Sequence, residues 1–371
     1  MNLESSNPEM LLSPIQPLLI QVVPRLTPGR CGVSDHALVL ARDLKDSFRV
    51  GTAFAVLNED VTSDLPYAKV ECTATMLLES CLELTGGRGG SILVHMSGYG
   101  YSPDGAPVSL AKALEEIKAS GQFRIATYFH EIAASSWLPW KSKFWYSRRQ
   151  QRALARIAAS SGLIITNATQ HAEWLGGESR RMGGVQPEMI PVFSTVGETE
   201  SPVPAARRSA AMVVFGLAGT RSLAYQRIAE SSHFIKKLGI KEIYDVGPEG
   251  KHPAEVNGIP VRRLGLLAAE ELPAVFSKTR FGLATAEWRY LPRSSVFAGY
   301  CAQGVVPVLA GHFGRPVDGL TEGVHVVTPR TVDAAREAGW QGCADAVWNW
   351  YQSHRVRVHA ERYAKWMGLH Q

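Results

Sequence analysis

The sequence predicts an α/β chain made of two doubly wound, Rossmann-like domains. Three observations carry that expectation. Short apolar runs of the kind found in strands covered on both faces alternate with segments of helical periodicity, from Leu18-Leu-Ile-Gln-Val-Val23 to Val305–Leu309. The succession strand, glycine-bearing loop, helix occurs near the start and again after residue 210. Between the two occurrences, Gly197–Ser209 loses all periodicity and gains proline and charge, as a linker does. The expected organisation is a first domain over 1–197, a linker over 198–209, a second domain over 210–343 and a terminal helix over 344–371.

Taken in order, residues 1–16 read as a loose leader and Leu18–Val23 as the first strand. Thr27-Pro-Gly-Arg-Cys-Gly-Val-Ser34 is a loop, with Ser34 or Asp35 expected to cap a helix that turns Leu38, Ala41 and Leu44 inward. The Gly86–Gly90 cluster precedes a strand at Ile92–His95 instead of following one, so it is a turn, and the dinucleotide pattern GxGxxG is absent. Val108–Ser120 is a helix, Arg124–Phe129 a strand ending at His130-Glu131, Arg148–Ser161 a helix, Leu163–Thr166 a strand and Thr169–Leu175 a short helix. Met189–Phe193 closes this half.

The second half repeats the grammar. Ala211–Phe215 is a strand, Gly216–Arg221 its loop, and a helix runs through Ile228 to Leu238. Strands follow at Glu242–Val246, Val261–Leu264 and Phe281–Ala284, with a helix at about 268–276. Pro292 and the Ser294-Ser295 pair signal a helix start, because serine supplies an oxygen to the first free N–H groups. That helix ends at Gly304, ahead of the strand Val305–Leu309. A final helix carries Val347, Trp348, Tyr351, Tyr363 and Trp366.

Composition narrows the classes. With 371 residues, 45% hydrophobic and 20% charged, the chain suits two globular domains. No apolar run reaches membrane-spanning length, and the polar, acidic start reads as no secretory signal. Five scattered cysteines without CxxC spacing point to a reducing cytoplasmic compartment and away from a thiolate metal site. The net charge of +5 suits a phosphorylated ligand or an anionic membrane surface, and is too diffuse to argue for nucleic acid.

In such sheets ligands bind beyond the carboxyl ends of strands, so the loops there are the candidate chemistry. In the first domain, Gly32 and Val33 offer amides beside a helix start, fit for close approach to a diphosphate. His130 can shuttle a proton or donate to a sugar hydroxyl, with Glu131 beside it. In the second, Arg221 leaves the Gly216 loop, and Arg293, Ser294 and Ser295 stand at a helix start; guanidinium matches phosphate oxygens bidentately. Arg227 reads as a solvated surface group. The segment 137–152 mixes Trp, Tyr, Lys and Arg, which suits either the inner face of a membrane or a half-buried helix with a basic outer face.

In this order the motifs resemble the B-type (GT-B) glycosyltransferases, within them the retaining bacterial group similar to exopolysaccharide and lipopolysaccharide mannosyl- or glucosyltransferases. The residues carrying the likeness are Cys31–Leu38 with Leu40–Leu44, Gly98–Tyr101 with Gly105–Pro107, Phe129–Glu131 with Trp140, Phe144-Trp145 and Gln150–Arg152. They continue with Thr166-Asn167, Glu173–Leu175, Pro191–Ser194, Val196-Gly197, Phe215-Gly216, Leu264–Phe276 and Arg293–Tyr300. The resemblance implies two domains facing across a cleft and a terminal helix crossing back to the first. It also implies a retaining, metal-independent hexosyltransferase with no cofactor beyond a nucleotide-diphosphate sugar as donor. Arg221 and Arg293–Ser295 would hold the diphosphate with Gly32 and Val33, His130 would touch the sugar or help proton flow with Glu131, and Tyr101 and Trp137 would bind the acceptor. The implied partner is a glycan or lipid-linked acceptor in surface polysaccharide synthesis, the place cytoplasmic or peripheral to the inner membrane, with no nucleic acid. The group's paired glutamates fall at Leu291 and Gly299, with Glu287 out of register, so a non-catalytic nucleotide-sugar- or glycan-binding subunit is the alternative; an epimerase-like member of the same fold is another.

Overall fold

The computed structural model describes residues 17–58, 61–62, 64–132, 142–250, 252–311 and 314–369. The chain divides into two compact units, Met1–Ile190 joined by Val356–Gln371, and Pro191–Arg355.

The first unit holds β1 (Leu18–Val23), α1 (Gly32–Phe48), β2 (Gly51–Val56), β3 (Ala68–Glu71), α2 (Leu77–Leu84), β4 (Gly90–Met96), α3 (Gly98–Tyr101), α4 (Val108–Ser120), β5 (Phe123–Phe129), α5 (Ser142–Ser160), β6 (Leu163–Thr166), α6 (Thr169–Met182) and β7 (Glu188–Met189). Its sheet is parallel in the order β3-β2-β1-β4-β5-β6-β7. Chain direction across the sheet reverses between β1 and β4, the point where doubly wound sheets open a crevice. β1 is buried almost throughout, which explains why it is apolar but for Gln21, whose amide oxygen is bonded to His95. The glycine cluster before β4 is a turn as expected, with Gly86, Gly87 and Gly89 all at positive φ.

The second unit holds β8 (Ser209–Phe215), α7 (Ala218–Glu230), α8 (Ser232–Leu238), β9 (Glu242–Val246), β10 (Glu255–Val256), β11 (Ile259–Gly265), α9 (Leu272–Lys278), β12 (Thr279–Ala284), α10 (Ser295–Ala302), β13 (Val306–Leu309), α11 (Val332–Ala338) and α12 (Gln341–Gln352). Strand order is β10-β11-β9-β8-β12-β13, parallel except for the β10–β11 hairpin. The switch point here lies between β8 and β12. Close packing decides one position in the sheet: a Cβ on Gly282 of β12 would stand 2.7 Å from the ring of Tyr300, whose hydroxyl donates to the carbonyls of Val213 and Leu283.

Several expectations need correction. The single terminal helix over 344–371 is two helices, α12 in the second unit and α13 (Val356–Trp366) in the first. α13 packs along α1, where Arg357 lies 4.8 Å from the Phe48 ring. The helix expected through 238 breaks at Ser231 into α7 and α8. The first unit also contains β2, β3 and α2, which the sequence reading passed over. α1 starts at Gly32 with Cys31 at the N-cap; Ser34 and Asp35 lie inside its first turn and tie down the preceding loop instead of capping.

The expected linker is no loose spacer. Arg355 pairs with Glu198 at 3.1 Å and also with Glu200, Tyr351 donates to Glu198 at 2.5 Å, and Trp348 donates to the Thr199 carbonyl at 3.3 Å. Buried Arg208 donates to the carbonyls of Val203, Phe276, Thr279 and Gln303, and burial lowers its pKa to about 10. Pro and charge at 198–209 therefore record a wrapped segment of the second unit. Among the described residues, no helix is long and apolar enough to cross a membrane.

Candidate functional site

In the first unit, the loops beyond the carboxyl ends of β1, β4 and β5 converge on one edge of the sheet. α1 starts there without a side-chain cap, so the amides of its first turn are not taken up by a cap. Gly32 is exposed, and a Cβ on it would meet nothing within 4 Å. The loop is held by Ser34, whose Oγ accepts from Thr27 N at 3.1 Å and donates to the Arg25 carbonyl at 2.8 Å. Asp35 accepts from Gly29 N at 2.7 Å; burial raises its pKa and that bond opposes the rise.

Behind this loop lies a group of imidazoles that sequence reading did not assemble. The parallel register sets Gln21 opposite Leu93 and His95 opposite Tyr128. Because side chains alternate along a strand, Gln21, His95, Tyr128 and, just past β5, His130 share one face. α1 and α13 bring His36 and His359 to it: the His36 ring centroid lies 4.8 Å from that of His130, 5.5 Å from His95, 4.6 Å from Tyr128 and 6.1 Å from His359. His95 Nε2 stands 2.6 Å from Gln21 Oε1, and its Nδ1 stands 3.2 Å from His130 Nε2. Burial lowers the pKa of His95 to about 3, and burial with the neighbouring imidazoles His130, His95 and His359 holds that of His36 far below its ordinary value.

His130 is fixed through its backbone, its N–H donating to Met96 O at 3.0 Å and its carbonyl accepting from Asn167 Nδ2 at 3.2 Å. Glu131 accepts from Ser97 Oγ at 2.8 Å and lines a small pocket with Gly98, Tyr99, Gly105 and Gln150. The Gln150 amide donates to Asp104 O at 2.6 Å, shaping the pocket wall. The Tyr101 phenol, expected to face an acceptor, is directed inward: it donates to the carbonyls of Val22 (3.0 Å) and His95 (3.1 Å), bracing β1 against β4. Trp137 lies outside the described residues.

In the second unit, the β8–β12 switch point is flanked by two helix starts. Gly216 follows β8 with φ +127°, and a Cβ there would lie 3.3 Å from Val296 of α10, so the loop passes close to that helix. α7 begins at Ala218 with no side-chain cap and an exposed Leu217 before it. α10 begins at Ser295, with Ser294 Oγ accepting from Phe297 N at 3.2 Å, the cap that the serine pair predicted. Arg293 ends a 3-10 turn over Trp288–Arg293, half-buried, its guanidinium 5.2 Å from the Tyr290 ring centroid. Arg293, Ser294 and Ser295 thus come together at the start of α10.

Arg221 does not stand free beside them. It is 2% exposed and paired with Asp245, itself 2% exposed, and it also donates to the Pro248 carbonyl. Tyr225 donates to the other Asp245 oxygen at 2.5 Å, and burial leads the causes that raise its pKa. The guanidinium expected to grip phosphate instead joins α7 to β9. Arg227 pairs with Glu230 at 3.2 Å on the helix surface.

The positions of the two missing glutamates are interior. Leu291 is fully buried, and a Cβ on Gly299 would stand 3.0 Å from Val196 Cγ2 and 3.5 Å from the Phe276 ring. Glu287 is exposed and paired with Arg289 at 2.9 Å.

These two sheets and their connections define the fold of the GT-B glycosyltransferases. Among solved structures, the chain is similar to an alpha-glucosyltransferase in complex with UDP and a 13-mer DNA containing a HMU base (12% identity, TM-score 0.58, covering 95% of this chain and 99% of that one). It is similar as well to an α,α-trehalose-phosphate synthase (UDP-forming) from Burkholderia vietnamiensis (12% identity, TM-score 0.59, 95% and 97% covered). A third is the sucrose-phosphate synthase from Thermosynechococcus elongatus (12% identity, TM-score 0.55, 95% and 98% covered). No family model matches the sequence, and no curated protein matches it.

Proposed function

We propose that the chain is a glycosyltransferase that moves a hexose from a nucleotide-diphosphate sugar to an acceptor hydroxyl. One observation carries the reading: at the β8–β12 switch point, α7 starts uncapped and α10 starts beside Arg293, so backbone N–H groups and a guanidinium gather where this sheet topology receives a ligand. Arg293, Ser294 and Ser295 hold the diphosphate; the Ser294 hydroxyl, whose oxygen caps α10, still has its proton to give. The fold neighbours described with UDP, or as UDP-forming, add to the case for a uridine nucleotide.

In the reaction, the bond from the anomeric carbon to the diphosphate oxygen breaks and its electron pair leaves with the diphosphate. The acceptor oxygen bonds the same carbon on the face just vacated, retaining configuration, and its proton passes to a diphosphate oxygen. Helix starts and Arg293 meet the negative charge that develops, so the reading needs no metal at the diphosphate. Within the first unit, His130 is assigned to the sugar and Glu131 with its pocket to the acceptor. A glycan or lipid-linked acceptor in surface polysaccharide synthesis, at the inner face of a membrane, is the reading that motif order favours. The fold does not choose it, since one neighbour is described with DNA.

A second reading rests on Leu291 and Gly299: with both glutamate positions in the core, the chain would bind a nucleotide sugar without turning it over. The two readings separate in one experiment. The chain is offered UDP-glucose and other nucleotide sugars in chelator, with release of nucleoside diphosphate measured alongside binding. Release that Arg293→Ala abolishes supports the enzyme. Saturable binding without release supports the binding subunit, and neither binding nor release refutes both.

A further inference from the structure

We infer that His36, His95 and His130 form a binding site for a divalent transition metal of the zinc class. The three imidazoles come from α1, β4 and the residue after β5, and each presents a ring nitrogen within 4.8 Å of the other two.

His95 sets the orientation of the group. The neighbour of its Nε2 is Gln21 Oε1, which can only accept, so Nε2 carries the proton and Nδ1 keeps its lone pair. A carbonyl oxygen placed behind an imidazole, fixing its tautomer and orientation, is the usual companion of a metal-bound histidine. Without an ion, Nδ1 accepts from His130 Nε2–H at 3.2 Å; an ion bound between the two takes the place of that proton, which is lost to solvent or moves to His130 Nδ1. With Zn–N bonds of about 2.0–2.1 Å, the edge of a tetrahedral site is about 3.3 Å, so this pair already stands at ligand spacing. His36, within 4.8 Å of both, closes the third corner by a shift of up to about 1.7 Å.

The donor set selects the ion. Three imidazole nitrogens suit zinc, cobalt, nickel or copper, whereas magnesium and calcium require oxygen ligands. Three protein ligands leave a fourth position for water, and the partly buried His130 marks the side from which the ion enters. A bound ion makes His130 a ligand and takes it from the sugar contact proposed above, so this site and the transferase reading are tested separately. The site stands or falls without reference to turnover.

The test uses the full chain stripped of metal and titrated with Co²⁺, a zinc surrogate with a visible spectrum. The expected result is an absorption band of a nitrogen-ligated, four-coordinate ion that saturates at one equivalent and is displaced by Zn²⁺. His130→Asn, which alters a half-buried ring, should lose the band and weaken Zn²⁺ binding at least tenfold while melting in chelator as the parent does. His36→Asn should behave likewise. His233→Asn, which removes an exposed imidazole on α8, should retain the band. No band beyond several equivalents of Co²⁺, or an undiminished band in His130→Asn, would overturn the assignment; if His36→Asn fails to fold, the His130 variant decides.

Discussion

Arg221 and Asp245 form an ion pair sealed from water on both sides, each side chain 2% exposed. Arg221 is held further by the Pro248 carbonyl and Asp245 by the Tyr225 hydroxyl. Truncating one partner leaves a buried charge without its counterion, at a cost of about 3–5 kcal/mol. Asp245→Ala should therefore lower the denaturation midpoint sharply, whereas Arg221→Met combined with Asp245→Leu should recover much of the loss. If the pair were a phosphate grip instead, Arg221→Met/Asp245→Leu would fold well and lose nucleotide affinity.

Arg293 differs in exposure, half-buried where Arg221 is 2% exposed, with its guanidinium 5.2 Å from the Tyr290 ring centroid. A hydrogen bond between charged groups contributes about 1.5–3 kcal/mol, so Arg293→Ala should weaken nucleoside diphosphate binding roughly tenfold to a hundredfold with an unchanged melting temperature. Ser294→Ala removes the α10 cap and should cost about 0.5–2 kcal/mol of stability. Calorimetry and thermal melts of the two variants separate these effects. Equal diphosphate affinity in Arg293→Ala and the parent would remove Arg293 from the site.

Gly299→Glu restores the residue that the resemblance leads one to expect, yet it should destabilise the protein. Its Cβ would press on Val196, and overpacking of this kind costs about 1–3 kcal/mol before the carboxylate is desolvated. Adding Val196→Ala should relieve part of the loss. A Gly299→Glu protein as stable as the parent would mean that α10 yields more easily than its packing suggests.

His252 contributes to the pH dependence of the second unit's stability. It is buried against the Tyr225 ring, 5.2 Å between centroids, with Arg221, Asp245 and Arg263 around it. Burial, followed by Arg221, lowers its pKa below the ordinary 6.5, with Asp245 opposing. Below pH 6.5 the unfolded chain therefore binds a proton that the folded chain refuses, so stability falls as pH falls until the folded pKa is reached. His252→Gln should flatten the pH dependence of urea unfolding below pH 6.5 relative to the parent. Other buried imidazoles keep part of the slope in both proteins. Identical slopes would show that His252 takes no part.

How much was legible follows from where the information sits. β1 and β6 are largely apolar runs and β9 an alternating one, each within a few residues of turn signals, and their boundaries in the structure match those read from sequence. The Ser294 cap was legible for the same reason, since a cap bonds an amide three residues away. The break between α12 and α13, at the polar Gln352–Arg355, was hidden because those residues carry no glycine or proline to signal a stop, and only the structure shows the chain passing there from one unit to the other. The linker was misread because Pro and charge describe a solvated spacer and a wrapped segment equally well; only the pairing of Glu198 and Glu200 with Arg355 distinguishes them.

The same division runs through the site. His130 and the start of α10 could be marked from local order alone, because strand ends and helix starts are written in neighbouring residues. The sequence by itself settled the alternation of strand and helix and hence the two parallel sheets, since burial on both faces demands unbroken apolar runs. Which charges pair with each other was decided only in three dimensions. Arg221 is 24 positions from its partner Asp245, and Gln21 is 74 from His95. A side chain's partner across a sheet depends on strand register, and register has no local signature in the residues that it brings together.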